Sequence, residues 1–598
     1  MRSLQMVAAL AAAFSSPLLA LAPQEIDAYF EARWEQKGLA PAPLAADGVF
    51  LRRAWLDIAG VVPPPADVTA FEVDRTPSKR SHVIERLLSG ERYAAAWSAR
   101  LQNLLLESEM LAKNRMLARP FDLWLTQSLA AGMPYDELVR KLIAGQGAVH
   151  ENPEVSYVAQ FRESPEALTG HLAKRFLGVQ IQCAQCHDHP FEKWTRRDFY
   201  GLHAFLARVK ELRVPVAALA AVREGRPAEA LEMMPKLAKL PGRKDRLERQ
   251  LEKFARNLPP PSLSPEAIQS LLALRKETAG AEMRPTFLVF DAPRGQAVMP
   301  DLTAPPTDKK KPVGEPVSPR FLDGTEPEES VLGPTRREAL ARWMTAPENP
   351  WFARALVNRV WAILMGSGLT QPVDNIAQPD SRTHAPLLDR LATHFVESRY
   401  DLRGLIRLIG STSVYQRSAV ASSTPTAAAE FAVASTRPME PEQLFNSLLA
   451  ATGAESWLRE KGGEDFEVQR ARMMARFGKV FENDGDAGAE DAFHGSLSQA
   501  LFLMNAPALH KAVSAGPRGT VREAIEAAFR AGNTSEGIAH LYRAAYARAP
   551  NPGEAGLAAT FLDESGAASQ GRPVRGRPQG WSDLMWALVS SAEFLVNH

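Results

Sequence analysis

Apolar residues recur at helical spacing along most of this chain. From Gln24 to about Arg208 the spacing predicts helices, with Ile26, Tyr29, Phe30 and Trp34 sharing one face and Val83, Ile84, Leu87 and Leu88 another. Strand-like alternation is scarce. Pro63-Pro64-Pro65 is expected to end one helix, and Thr76-Pro77-Ser78 to start the next, because proline is tolerated in a first turn that Ser or Thr can cap. Between Val214 and about Pro319 the pattern changes. A charged segment with helical spacing, Arg243 to Asn257, is followed by Pro259-Pro260-Pro261 and a polar stretch, Pro305 to Pro319. Within this middle, Pro285 to Asp291 is the best strand candidate, rich in β-formers and bounded by breakers. Helical periodicity returns at Arg320 and continues to His598, broken by a Gly- and acid-rich loop at Glu482 to Glu490 and an Arg/Gly/Pro loop at Gly571 to Gly580. The expectation is a mainly α protein: a signal peptide (1–22), a helical domain (23–213), a Pro-rich linker or insertion with minor β (214–319) and a C-terminal helical domain (320–598). No repeat of roughly 20 to 50 residues suggests a solenoid.

Composition narrows the class. With 45% hydrophobic and 23% charged residues among 598, the chain is an ordinary globular protein. A formal net charge of +1 encodes no bulk attraction to nucleic acid or an anionic membrane. Lys309-Lys310-Lys311 is the one local basic run, and in a neutral whole it reads as solvated linker. At the N-terminus, Met1 and Arg2 precede an apolar run, Leu4 to Phe14, broken only by Gln5, and Ala20-Leu21-Ala22 offers small residues where a signal peptidase reads. This predicts export to the periplasm or beyond. No later stretch reaches about 18 uninterrupted apolar residues, so no retained transmembrane helix is expected.

The sharpest clue is the cysteine count. Two cysteines cannot build a disulfide framework, yet both fall in one pentapeptide, Cys183-Ala184-Gln185-Cys186-His187. That is the spacing of c-type haem attachment. Two thiols three residues apart can add to the two vinyl groups on one porphyrin edge, and the following histidine approaches the iron from the same side. Leu172 to Ile181 has helical spacing, which puts the motif at a helix end. His203, Met233, Met234, His171 and His150 are the nearest sixth-ligand candidates in the chain. Three other readings compete. Cys183 and Cys186 can serve as a redox pair, although the βαβ setting of such pairs is missing. They can hold zinc with His189 and His203, or another metal through His187 and His189. They can also be structural. His189 has a further option, a hydrogen bond to a haem propionate.

A second polar group lies in the C-terminal half: Asn358, Arg359, Trp361, Asp374 and Asn375 around Gly366-Ser367-Gly368-Leu369. As a cleft, it would hold an anionic, sulfated or carboxylated sugar between Arg and Trp. As a buried Arg-Asp network, it would fix a helix-loop-helix corner, and this second reading is favoured. No catalytic triad, P-loop or dinucleotide turn accompanies it.

Several motifs together resemble a known family. These include Phe50-Leu51-Arg52-Arg53 with Leu56 to Gly60, Phe176 to Gln182 running into Cys183 to Trp194, Asn349 to Arg354 with Val357 to Trp361, Tyr415 to Ser418, Gln499 to Asn505, and Glu593-Phe594-Leu595 with Asn597-His598. The chain resembles the large secreted proteins, abundant in planctomycetes, that join a cytochrome-associated domain of unknown function to a planctomycete-specific C-terminal domain of unknown function. The resemblance implies an exported, mainly helical protein grouped with sulfatases and other polysaccharide-processing systems. It carries over Cys183, Cys186, His187 and His189, and departs at Leu202 to Leu206 and at Arg382-Thr383-His384-Ala385. The combined expectation is an exported c-type haem protein acting in electron transfer, with an unidentified redox partner, or in an oxidative step of extracytoplasmic polysaccharide metabolism. The alternative is a metal- or glycan-binding accessory protein with a structural Cys/His cluster.

Overall fold

The computed structural model describes residues 21–107, 115–162, 164–234, 259–273, 285–303, 313–328, 332, 335–377, 383–419, 424–462, 466–481, 497–514, 516, 518–566 and 578–598. Residues 1–20 of the expected signal peptide, the Arg243 to Asn257 segment, the Lys309 to Lys311 run, the Glu482 to Glu490 loop and residues 571–577 lie outside the described residues. Helices dominate. α1, Pro23–Lys37, starts with proline in its first turn and ends at Gly38, whose φ of 63° only glycine adopts cheaply. It buries Ile26, Phe30 and Trp34, one residue per turn. α2, Asp47–Ala54, widens into a π turn at Trp55–Ala59. The helix after it, Pro65–Val73, begins at the third proline of the Pro63 to Pro65 run. That tripeptide therefore opens a helix as well as following one, because proline's fixed φ suits the first helical position. The helix expected after Thr76-Pro77-Ser78 is present as Lys79–Ser89.

Further along, α3, Pro165–Leu172, passes through a π turn, Ala173–Leu177, and stops at Gly178 with φ 60°. α4, Arg196–His203, is capped reciprocally by Thr195 and Asp198. In the second half, α5 (Arg336–Met344) and α6 (Phe352–Met365) begin a further set of helices.

The strands are few and short. β1 (Gly147–Ala148), β2 (Val209–Pro215) and β3 (Pro285–Asp291) form an antiparallel sheet in the order β1-β3-β2, with Gly147 opposite Val289 and Leu212 opposite Leu288. β3 coincides with the strand expected from sequence. Since β3 pairs with strands from the first half, the described middle is an insertion fastened to the first domain. β4 (Ala297–Pro300) pairs with β5 (Gly314–Val317), and β6 (Arg437–Pro438) with β7 (Val596–Asn597).

The apolar cores do not divide at residue 320. One continuous core runs from Leu21 to Val433 and takes in α5, α6 and the helices that follow them. Trp361 of α6 stacks on Phe30 of α1 at 5.8 Å, deep in this shared core. A second core gathers residues from Met439 to Phe594 together with Leu56 and Val62 of the first half. Helical period identifies the buried faces, but only the fold determines which of them meet.

The two cores are tied through one buried carboxylate. Asp57, 1% exposed, accepts from both sides: Arg437 at 2.6 and 2.8 Å, the Tyr415 hydroxyl at 2.8 Å and the Asn597 amide at 2.8 Å. Beside it, Arg52 donates to the carbonyls of Ala545 and Phe594, and Arg53 to those of Tyr415, Arg417 and His598. A carboxylate removed from water survives only when its lone pairs are met in this way.

Candidate functional site

Cys183 sits on a short 3-10 turn, Gln182–Gln185, that follows α3 and its π turn, and Cys186 caps the end of that turn. Gly178 turns the chain there, and its carbonyl accepts from Ile376 N–H at 2.9 Å. A Cβ at Gly170 of α3 would lie 1.6 Å from the Gln182 side-chain oxygen, so the helix packs against the turn as closely as glycine allows. Both thiols are free and exposed. Ala184 between them is buried and pins the turn to the core.

The two histidines differ in what their ring nitrogens do. His187 is exposed, and its Nδ1 lies 2.8 Å from the Asp188 carbonyl oxygen. A carbonyl only accepts, so Nδ1 carries the proton and Nε2 presents its lone pair, the form in which a histidine ligates metal. His189 is set the other way. Its Nδ1 accepts from the backbone N–H groups of Phe191 (3.3 Å) and Glu192 (3.0 Å), which leaves the proton on Nε2. As a neutral ring it is a donor at Nε2, suited to a carboxylate such as a propionate, and the metal-ligand role expected for it is not the one these bonds set up. Its own N–H reaches the Trp194 carbonyl at 2.8 Å and closes the loop. Asp188 accepts from Arg196 N–H at 2.8 Å, joining the loop to the start of α4. Phe191 stands out from this loop, 87% exposed.

The expected zinc set is not brought together. His203 faces inward, with Nδ1 2.9 Å from the Thr169 hydroxyl and Nε2 4.0 Å from Glu166. Among the described residues, no group of three or more His, Cys, Asp or Glu side chains is placed to hold a metal ion. The other sixth-ligand candidates are also committed to the interior. His150 bonds Thr286 at 3.1 Å and His171 bonds Tyr157 at 2.9 Å, while Met233 and Met234 belong to the small core under the sheet. Burial, reinforced by Arg175 and Lys174, pushes His171 down to about 3, so it is neutral.

The C-terminal polar group forms the rear wall of this site. Arg359 donates to Asp374 at 2.6 Å and to the Arg175 carbonyl at 2.9 Å, while Arg175 reaches the other Asp374 oxygen at 2.8 Å. Burial pushes the Asp374 carboxyl up, but Arg359, Arg175 and Lys174 outweigh it and hold the group below the usual carboxylate range. Asn375 donates to Glu192 at 2.8 Å, and the second Glu192 oxygen accepts the Trp194 indole N–H at 2.8 Å. Asn358, fully buried, clamps the loop between by bonding both the N–H and the carbonyl of Thr370. The network reading expected for these residues is thus what the fold contains. Trp361 is not part of it, being buried against Phe30 and Phe431. Arg175 and Gly170 were not singled out from sequence. The only signal for either was the cationic pair Lys174-Arg175 just before a helix-ending glycine.

The fold and this site define a mainly helical protein with an exposed Cys-x-x-Cys-His loop braced by its C-terminal half. Two family models match it: PSCyt2, a protein of unknown function (DUF1549), over residues 25–211, and PSD1, a protein of unknown function (DUF1553), over residues 336–486. The chain belongs to the proteins that pair these two domains. The first match contains the whole Cys-His loop and the second contains Arg359, Asp374 and Asn375, so the bracing network joins one domain to the other. Comparison with curated proteins and with solved structures gives no match. No described helix is long and apolar enough to cross a membrane.

Proposed function

We propose that the chain is an exported electron-transfer protein that carries a c-type haem on Cys183, Cys186 and His187. The observation that carries this reading is the hydrogen bond from His187 Nδ1 to the Asp188 carbonyl, beside two exposed free thiols at c-type spacing. That bond keeps the Nε2 lone pair available and the ring oriented, as a carbonyl partner does for metal-ligating histidines generally. Each thiol would add its S–H across one vinyl group, giving two thioethers without net oxidation. His189 Nε2–H would donate to a propionate. Bound haem would supply a one-electron couple, with the axial ligands and surrounding polarity setting its potential. The loop's exposure leaves it open to attachment during export and to a redox partner afterwards. A link to polysaccharide or sulfated-glycan metabolism follows from the resemblance described above.

The test is maturation in cells with the cytochrome c assembly machinery. A Soret band, with haem retained through denaturing electrophoresis and lost in Cys183→Ser/Cys186→Ser, is the expected result. Protein without haem under those conditions overturns the reading, and metal analysis of the same sample then tests zinc.

A further inference from the structure

Three of the chain's eleven tryptophans stand in a row that starts at the Cys-His loop. Trp194 is buried as the loop's floor and tied to it by the His189 N–H. Its ring centroid lies 6.2 Å from that of Trp351, and Trp351 lies 6.3 Å from Trp343. Trp351 and Trp343 are half-buried, so the row runs from the interior toward solvent. Behind Trp343, Phe321 and Phe205 stack at 4.8 and 4.7 Å and hold its ring in place. At these separations neighbouring π systems are in or near van der Waals contact.

The hydrogen bonds and charges along the row distinguish it from ordinary packing. The indole N–H at each end donates to a carboxylate: Trp194 to Glu192 and Trp343 to Asp323, both at 2.8 Å. An indole that loses an electron becomes a strong acid, and an adjacent carboxylate gives its proton somewhere to go. Between the ends, the Lys193 ammonium lies 4.9 Å from the Trp194 ring and 6.0 Å from the Trp351 ring. A cation over a ring face disfavours positive charge on that ring. A hole is therefore displaced toward Trp343, over whose ring no cation lies among the described residues and whose partner Asp323 is exposed.

We infer that Trp194, Trp351 and Trp343 form a one-electron path between the Cys-His loop and the surface at Asp323. An oxidant held on the cysteine sulfurs takes one electron through the row. Trp343 loses that electron, its N–H proton passes to Asp323, and a neutral indolyl radical remains until a reductant at the surface returns the electron and the proton goes back. In the protein's own chemistry the oxidant would be an iron porphyrin taken above the ferric state by a hydroperoxide, which is itself reduced to an alcohol or water, and to that extent the path rests on the haem reading.

The test needs no haem, so the path and the haem reading can fail separately. The full chain has only two thiols, so in Cys186→Ser a thiol-reactive ruthenium polypyridyl attaches to Cys183 alone. Flash illumination with a cobalt(III) ammine quencher makes ruthenium(III) there, and a nitroso spin trap with peptide mapping locates the radical. The expected site is Trp343, with a yield that falls by an order of magnitude when Trp351→Phe is added and the circular dichroism is unchanged. An equal yield in that variant, or a radical trapped elsewhere in the parent, overturns the path. Should Trp351→Phe lose its native circular dichroism, Trp343→Phe replaces it: the trapped radical must then stop on Trp351, and any other site overturns the proposal.

Discussion

The Cys-His loop and the Asp57 cluster are both dense polar motifs, and both gather residues far apart in the chain, yet they differ in what they leave open. At Asp57, both carboxylate oxygens face donors: Arg437, Tyr415 and Asn597. Asp57 itself is closed off from solvent, with Arg437 partly exposed beside it, and the gain is one fixed arrangement of two cores. In the loop, the bracing bonds fall on Asp188, His189 and Glu192, while the Cys183 and Cys186 thiols and the Nε2 of His187 point to no protein partner among the described bonds. A carboxylate whose oxygens are all met internally holds the fold. The loop keeps its reactive atoms exposed, as the proposed haem attachment requires.

The largest effect that sharpens this contrast is expected at the cluster. Asp57→Ala leaves Arg437, Tyr415 and Asn597 without their shared buried acceptor and should cost about 3–5 kcal/mol, read as a lowered urea midpoint. Cys183→Ser should move the same midpoint by no more than about 0.5 kcal/mol, as for a surface change away from structural features.

A second effect concerns the ground beneath the loop. His171 stays neutral in the fold down to about 3, whereas in the unfolded chain it takes a proton near pH 6.5. Between those values the unfolded chain binds more protons, so this contribution is complete above about pH 6.5 and is lost as pH falls toward 3. Burial lowers His203 and His384 as well, in the same direction. The melting temperature should therefore drop on acidification below about pH 6.5, and His171→Gln, which can still hydrogen-bond the Tyr157 hydroxyl, should flatten that drop. A slope unchanged by the substitution would remove His171 from the account.

The smallest effect bears on the brace itself. Asn375→Ala deletes one hydrogen bond to Glu192 and should cost about 1 kcal/mol overall. Its larger signature is local: amide exchange should accelerate across residues 189–194 and stay unchanged around Asp57. Uniform acceleration would mean that Asn375 serves the whole core and not the loop.

Much of this architecture was legible in the chain. The face Ile26, Phe30, Trp34 is buried as its period requires, and Pro285 to Asp291 is a strand, because local spacing and β-forming side chains decide both. The Cys-x-x-Cys-His spacing singled out the loop for the same local reason. The partners were not legible. Asn375 meets Glu192 across 183 residues, and Asn597 meets Asp57 across 540, and no periodicity reports a meeting at that separation. The core division after Val433 was hidden likewise, since α6 has the same apolar period whichever half it packs against. The tautomers of His187 and His189 depend on backbone groups whose positions only the folded loop supplies.

The central claim is that the open atoms of the loop take a haem. Wild-type protein and Cys183→Ser/Cys186→Ser, produced side by side with the cytochrome c maturation system, should have the same melting temperature, and only the wild type should show a Soret band and haem that survives denaturing electrophoresis. Equal haem content in the two, or none in the wild type, would contradict it.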